Sequence, residues 1–438
     1  MNRQSEIDIH RPAIRAIEAD IAAGKLSEAR AALDALRTAV PHDVRVYLAG
    51  ATLARASANP SDEIAALQRV IELAPRWPLG HIELAKALAR YERFDEALVA
   101  VAGAVRLAPQ DLQVLEAAVA IANATGRDAY AEPYLRAALA LRPDDLSIRR
   151  AFAQCLSKQQ KFAEAESHWR SVLDRDRDDA FALSWLGGCL LGLGRKADAV
   201  STLERAATLA PASQSLKFSL AVARGETPRT FPTQVTRDLY DGYARRFDQE
   251  LVAKLGYRVP ERVAQMIRQR SATQKLDILD LGCGTGLLAL HLGRVDGAFV
   301  GVDLSPAMIA QAQQRGVYTE LRQGELLEEL RKTPAQSFDY VIANDVLIYV
   351  GDLSEVIPAA FAVLRPGGAL IFSCETAADS EGSYVVRLSN RYAHSRAAVE
   401  RLCRDAGFAS FDSEALVLRH DNNVEIEGFI AIAQRASR

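Results

Sequence analysis

A 34-residue period governs the first half of the chain. Prolines stand at positions 41, 75, 109 and 143, and again at 211, two periods further on; the skipped position is Arg177. Proline removes a backbone donor and clashes with the preceding helical turn, so each one marks a place where a helix has to stop. Two alanine-rich helical patterns fill each period. Ala29, Ala97, Ala131, Ala165 and Ala199 share one phase, where helices must approach closely. Gly24, Gly126 and Gly194 share another, suited to the turn inside each helix pair. A register of this kind points to stacked helix pairs.

The period is that of tetratricopeptide repeats (TPR). The last unit carries Leu183-x2-Leu186-Gly187-x2-Leu190, Ala199-x3-Leu203 and Pro211. An earlier unit carries His81-x2-Leu84-Ala85-x2-Leu88, Ala97-x3-Val101 and Pro109. About six repeats between residues 10 and 213, with a capping helix near 215–224, predict an all-α TPR solenoid over residues 10–224. The fifth repeat lacks its proline, and the second matches poorly at Glu63. Stacked repeats bury a continuous core and present a concave face to a peptide or protein ligand. Asn123 and Arg149 are candidates for that face, and a solvated surface role is the plainer reading of each.

Residues 225–236, GETPRTFPTQVT, hold two prolines and four threonines and read as a linker. The run from Tyr240 to Asp248, YDGYARRFD, follows. The run resembles the segment just ahead of the cofactor motif in many small-molecule methyltransferases, which implies that Tyr240 and Tyr243 are lid residues over the substrate entrance; at helical spacing the plainer reading is that they pack a helix down.

Residues 276–286, LDILDLGCGTG, organise the second half. An apolar run reads as a buried parallel strand, breaks into Gly282, Gly284 and Gly286, and passes into a helical pattern. Glycines there allow a tight turn and let a ligand reach bare backbone. A second strand over 298–302 ends in Asp303, placed to take two ribose hydroxyls. Ser305-Pro306 then starts a helix over 306–315. A dinucleotide fingerprint needs GxGxxG, whereas this spacing is GxGxG preceded by Asp280. Further strands are expected near 318–322, 338–343 and 369–373, the last after the turn Arg365-Pro366-Gly367-Gly368, and a final hairpin near 411–419 and 425–433. Residues 237–438 are therefore predicted to form a Rossmann-like, seven-stranded α/β domain.

The GxGxG turn with Asp280 and Asp303 resembles class I S-adenosylmethionine (SAM) methyltransferases. The whole chain resembles bacterial methyltransferases that join TPR repeats to a SAM domain. Its C-terminal part, through YDGYARRFD, LGYRVP, DLGCGTG and RYAHS, is similar to the Williams–Beuren-region methyltransferase-like proteins. The resemblance implies SAM as cofactor and S-adenosylhomocysteine as product. It implies that Asp280 anchors the methionine end, Asp303 the ribose and Glu325 the adenine, with Gly282, Cys283, Gly284, Gly286, Leu304 and Asn344 completing the cofactor set. Substrate should enter over the carboxyl ends of the strands. Asp345, Tyr349, Arg391 and Tyr392 are positioning candidates there. His394 is a candidate general base because its pKa lies near working pH, or it caps the following helix with Ser395.

With 49% hydrophobic and 25% charged residues the composition is that of globular protein, and with a net charge of −3 nothing suggests a nucleic-acid-binding surface, so no nucleic-acid partner is expected. Cysteines 155, 189, 283, 374 and 403 show no CxxC or metal-ligand spacing and read as reduced thiols of a cytoplasmic protein; no metal is expected. The first residues lack an apolar signal core, and no apolar run is long enough to span a membrane. The expected function is SAM-dependent methyl transfer to an oxygen or nitrogen acceptor, with the repeats recognising a peptide, protein or carrier-bound substrate. Alternatives are a SAM-binding scaffold or regulator acting through the repeats, and a nicotinamide oxidoreductase, which the glycine spacing disfavours. Oligomeric state is open.

Overall fold

The structure, a computed structural model, describes residues 10–125, 128–244, 247–248, 256–271, 275–421 and 424–437. The chain divides into two compact units, Met1–Cys189 and Leu190–Arg438, with the division inside one helix, Ala180–Gly192.

In the first unit helices recur in pairs, beginning with Arg11–Ala22 and Leu26–Ala39. Gly24 closes the first pair with φ +74°, a conformation that costs glycine little; Gly126, of the same phase, lies outside the described residues. Ala29, Ala97, Ala131 and Ala165 have no exposed surface. At the same phase the second repeat places Glu63, only 3% exposed. Its carboxylate accepts from Arg90 at 2.7 Å and from the Tyr91 hydroxyl at 2.6 Å, so the anion is buried with partners. A further periodic signal is an N-cap aspartate: Asp43, Asp111, Asp145 and Asp179 each accept from backbone N–H groups of the helix they start. Asp179 explains why the repeat without its proline still begins a helix at Ala180. Asn123 is exposed, while Arg149 donates to the carbonyl of Pro143 and approaches His168.

In the second unit, helices Lys196–Leu209 and Gln214–Ala223 precede a helix over Thr233–Tyr243, which begins inside the expected linker. The sheet has nine strands among the described residues: β1 (Ile278–Leu281), β2 (Phe299–Asp303), β3 (Glu320–Gln323), β4 (Phe338–Ala343), β5 (Leu364–Ala377), β6 (Tyr384–Val386), β7 (Tyr392–Ser395), β8 (Ser410–Asp421) and β9 (Val424–Gln434). The order β3-β2-β1-β4-β5 is parallel, and β9 runs antiparallel along β5 and pairs with β8. These seven are the expected sheet. β7, parallel to the end of β5, and β6 beside it extend the sheet beyond the seven strands expected from the sequence. The expected turn at residues 365–368 is a bulge inside β5: between its partners Leu364 and Ala369, β4 advances only from Phe338 to Tyr340. Apolar side chains pack both faces of the sheet, Leu279, Val341, Leu370 and Phe372 on one side and Ile278, Phe299, Ile342 and Ile371 on the other. Burial of both faces leaves the carboxyl ends of the strands as the place for a ligand.

Candidate active site

A cavity of about 600 Å³ opens over the carboxyl ends of the parallel strands. One end is backbone. β1 runs out at Leu281, and Gly282 follows with φ +66°; a Cβ there would lie 1.8 Å from Cγ2 of Val346. Only a bare backbone lets Val346 pack on the loop. Asp303, at the end of β2, accepts from the Gly284 N–H at 2.9 Å on Oδ2 and from the Ser305 N–H at 2.9 Å on Oδ1. Each oxygen keeps a lone pair, and the residue lines the cavity with Cys283, Gly284 and Leu304. Burial raises the Asp303 carboxyl above its usual range, while the two N–H groups oppose the shift. Gly286 caps the helix Leu287–Leu292.

Asp280 is 2% exposed within β1 and accepts from the Tyr318 hydroxyl at 2.7 Å. Burial pushes its pKa up to about 7 against the lowering effect of that bond. Glu325 lines the cavity after β3 and accepts from the Glu328 N–H at 2.8 Å, so it also caps the helix Leu326–Lys332. Asn344, after β4, lines the cavity with its side-chain amide buried; neither its oxygen nor its nitrogen has a partner among the described residues. A buried amide without a partner is costly unless something else bonds it.

The other end of the cavity is built from side chains. Asp345 has φ +55°, donates its N–H to Ser373 Oγ at 2.8 Å, and offers both carboxylate oxygens to Nη1 of Arg419 at 2.7 and 3.0 Å. Arg419 is 1% exposed, lines the cavity, and also donates to Glu375. Sequence reasoning missed both Arg419 and Glu375. For Glu375 the available signal was a charge at the end of the apolar run Ala369–Cys374, and for Arg419 a charge directly after the apolar run Ala415–Leu418. The Tyr240 and Tyr349 hydroxyls lie 3.0 Å apart on the wall, with Arg391 beside them. The side chain of Tyr243 lies outside the described residues.

Of the candidates His394, Tyr392 and Asp345, the first two point elsewhere. Tyr392 has no exposed surface, donates its hydroxyl to the Pro228 carbonyl at 2.8 Å, and packs its ring near Phe218 and Tyr384. His394 is 1% exposed; its Nε2 lies 2.9 Å from the Val350 carbonyl and 3.1 Å from the Gly351 carbonyl. Those acceptors require the proton on Nε2. Burial lowers the His394 pKa to about 4, and the residue lines a separate, smaller cavity with Asp352, Tyr384 and Leu402. The helix that follows is capped by Ser395, whose hydroxyl accepts from the Ala398 N–H. The strand pairing of β7 accounts for the difference: it fixes 392–394 in the sheet, away from the mouth.

A segment before the first sheet-covering helix also bounds the cavity. Arg229 accepts at its carbonyl from the N–H groups of Gly351 and Asp352, Phe231 donates its N–H to the Tyr349 carbonyl, and Thr230 and Phe231 line the cavity.

Residues 279–372 match the family model described as a methyltransferase domain. The chain is 35% identical over 111 residues to the ubiquinone biosynthesis O-methyltransferase of Hahella chejuensis, covering 24% of this chain and 46% of that protein. It is 35% identical over 104 residues to the mitochondrial counterpart of Bos taurus, covering 22% and 28%. The chain thus spans less than half the length of these two relatives. Among solved structures, magnesium protoporphyrin IX methyltransferase from Synechocystis PCC 6803 overlaps 47% of this chain and all of its own, at 20% identity and a TM-score of 0.38. The TPR protein YrrB overlaps 44% of this chain and 97% of its own, at 19% identity and a TM-score of 0.37. Among the described residues no helix is long and apolar enough to cross a membrane. The matched segment runs from within β1 into β5 and takes in the glycine turn and Asp303: it is a class I, SAM-dependent methyltransferase domain.

Proposed function

We propose that the protein transfers a methyl group from SAM to an oxygen or nitrogen acceptor. In this reading residues 237–438 are the catalytic domain, 10–224 a TPR array that recognises a peptide, protein or carrier-bound substrate, and 225–236, read from the sequence as a linker, supplies through 229–236 part of the catalytic domain's cavity wall. Five buried cysteine thiols accord with a reducing, cytoplasmic setting.

The observation that carries the reading is the pairing of Asp303 with Asn344 in one cavity. The carboxylate is held by two backbone N–H groups and keeps lone pairs for two vicinal hydroxyls, which a charged acceptor binds strongly. The Asn344 amide is buried and awaits a ligand partner. Gly282, Gly284 and Gly286 expose backbone where the methionine part would lie, Cys283 and Leu304 border it, Asp280 would face its ammonium, and Glu325 would face the adenine. SAM supplies a methyl already activated on a sulfonium, so the protein's part is to bind, orient and exclude water. Tyr240, Tyr243, Tyr349 and Arg391 hold the acceptor in this reading, and Asp345 positions through Arg419. His394 and Tyr392 hold the 350–351 and 228 backbone instead of moving protons.

Calorimetric titration with SAM and S-adenosylhomocysteine tests the assignment. Asp303→Ala is expected to weaken both ligands by about 2–4 kcal/mol, the loss of two charge-assisted hydrogen bonds. Unchanged affinity in the variant removes Asp303 from the site. No binding of either ligand by the wild-type protein removes the enzyme reading.

A further inference from the structure

We propose that the first two helix pairs of the TPR array form a pocket for a carboxylate side chain on an acidic peptide segment of a partner protein. The inference rests on the reading of residues 10–224 as a peptide- or protein-recognising array, and it gives that ligand a charge and a place.

The pocket, of about 290 Å³, lies among the helices Leu26–Ala39, Val44–Ala56 and Pro60–Leu73. Val44–Ala56, the first helix of the second pair, packs against both of the others, which are the second helices of their pairs. Asn123 and Arg149, the sequence candidates for a peptide-binding face, stand on first helices further along the array and take no part in it.

Three arginines line the pocket, Arg30, Arg37 and Arg69. Arg37 is held in place from two sides. Gly50 lies against its guanidinium, where a Cβ would collide with Nη2, and the ring centroid of Tyr47 is 5.7 Å from its Cζ. The same ring has the Cζ of Arg69 at 5.9 Å. Tyr47 is itself fixed, since its hydroxyl donates to the Pro41 carbonyl at 3.0 Å. A guanidinium beside an aromatic ring is oriented while its N–H donors stay available.

Most of those donors are open. The Nε of Arg37 is buried with no acceptor among the described residues, and the Asp34 carboxylate stops 3.7 Å from its Nη1, beyond hydrogen-bond length. Arg30 is exposed and makes no ion pair among the described residues. Arg69 alone of the three has a close carboxylate, Glu72 at 2.7 Å. Donors left without acceptors in a packed site are costly, and a planar carboxylate presents two oxygens to a guanidinium fork. Asp34 and Asp62 line the same pocket, so an incoming anion meets two negative charges beside three positive ones. That balance favours a single negative charge over the near-double charge of a phosphate monoester. Leu33, Leu53 and Ala66 supply apolar surface for the methylenes of a glutamate side chain.

The test follows the full chain, isotope-labelled at arginine, through the NMR signal of the Arg37 Nε–H group, which Arg37→Lys assigns by deleting it. Two acetylated, amidated pentapeptides are titrated in, one with a central glutamate and one with a central glutamine between alanines. The glutamate peptide is expected to move the Arg37 signal and to bind about tenfold tighter than its counterpart, the value of one charged hydrogen-bond pair. Gly50→Ala is the deciding variant. Alanine is the better helix former, so the thermal midpoint should hold or rise, whereas displacement of the Arg37 guanidinium should abolish the preference for glutamate. Equal binding of the two peptides, or binding of neither, overturns the proposal. A glutamate preference that survives Gly50→Ala, or that leaves the Arg37 signal in place, overturns it as well. Inorganic phosphate that binds more tightly than the glutamate peptide and displaces it assigns the pocket to a dianion and has the same consequence. A mixture of random pentapeptides separates this failure from that of the array reading. Retention of peptides from the mixture without a glutamate preference overturns the carboxylate pocket and leaves peptide recognition standing; retention of none counts against both.

Discussion

The two ends of the cavity are built by different means. Over β1–β3 the contacts are largely main chain: Gly284 and Ser305 N–H groups hold Asp303, and bare glycine backbone forms the floor. Over β4 and β7 the contacts are side chain to side chain, with Arg419 between Asp345 and Glu375 and with two phenols paired. Backbone donors are fixed by the fold and cost nothing to hold in place. A buried ion network has no such support and depends on every member, since each charge left alone is expensive. The first end therefore tolerates loss of a side chain with a cost in affinity. The second should fail in stability.

The sharpest way to break that contrast is Arg419→Met. Removing a fully buried guanidinium strands the carboxylates of Asp345 and Glu375, and the expected loss is about 3–5 kcal/mol of unfolding free energy in urea. The loss has a pH signature. A buried carboxyl whose folded pKa is raised stabilises the fold below its unfolded pKa and loses that contribution as pH rises through the folded value. Glu375 is already raised in the intact protein, so the deficit of Arg419→Met should be smaller at pH 5 than at pH 8. A deficit under 1 kcal/mol, or one independent of pH, would show the network to be peripheral.

The same contrast explains what the sequence could disclose. Asp280, the glycines, Asp303 and Glu325 stand at or just after the ends of three successive strands, and the local pattern located strands β2 and β4 and the helix Pro306–Arg315 to within a residue and β1 to within two. The 34-residue register likewise exposed the helix pairs, although the N-cap aspartates in that register went unread. The acceptor end draws residues from 240, 345–349, 375, 391 and 419, which meet only through sheet topology. By strand alternation Arg419 shares the outward face of Val417, yet the register shift between Val417 and Arg419 in the β8–β9 pairing turns it inward, next to Asp345. Tyr392 and His394 misled for the complementary reason. A polar cluster after a loop suggests a mouth, but strand β7 pairs with the end of β5 and buries both residues in the sheet.

A smaller effect probes the cofactor end. Asp280 has a pKa of about 7, raised by burial, and in the proposed site it faces the cationic part of SAM. Binding the cation requires the carboxylate, so at pH 6 binding must release a proton and at pH 8 it need not. Affinity should therefore rise by up to about tenfold from pH 6 to pH 8. Asp280→Asn should flatten the profile. Tyr318→Phe removes the bond that lowers the Asp280 pKa and should move the rise to higher pH. Calorimetry in two buffers of different ionisation enthalpy reads the proton directly, and an absent proton release removes Asp280 from the cation's surroundings.

The smallest effect separates the two ends most cleanly. Tyr349→Phe deletes one hydroxyl of the 3.0 Å pair and leaves that of Tyr240 to find another partner. One neutral hydrogen bond is worth about 1 kcal/mol, so binding of the methyl acceptor should weaken about fivefold. S-adenosylhomocysteine affinity should not move, because the ring still packs against Tyr240 and Phe231 and no cofactor contact is assigned to it. If instead both ligands weaken together, the cavity responds as one unit and its ends are not independent. If neither does, the phenol pair is a structural tie between the segment carrying Phe231 and the loop after β4.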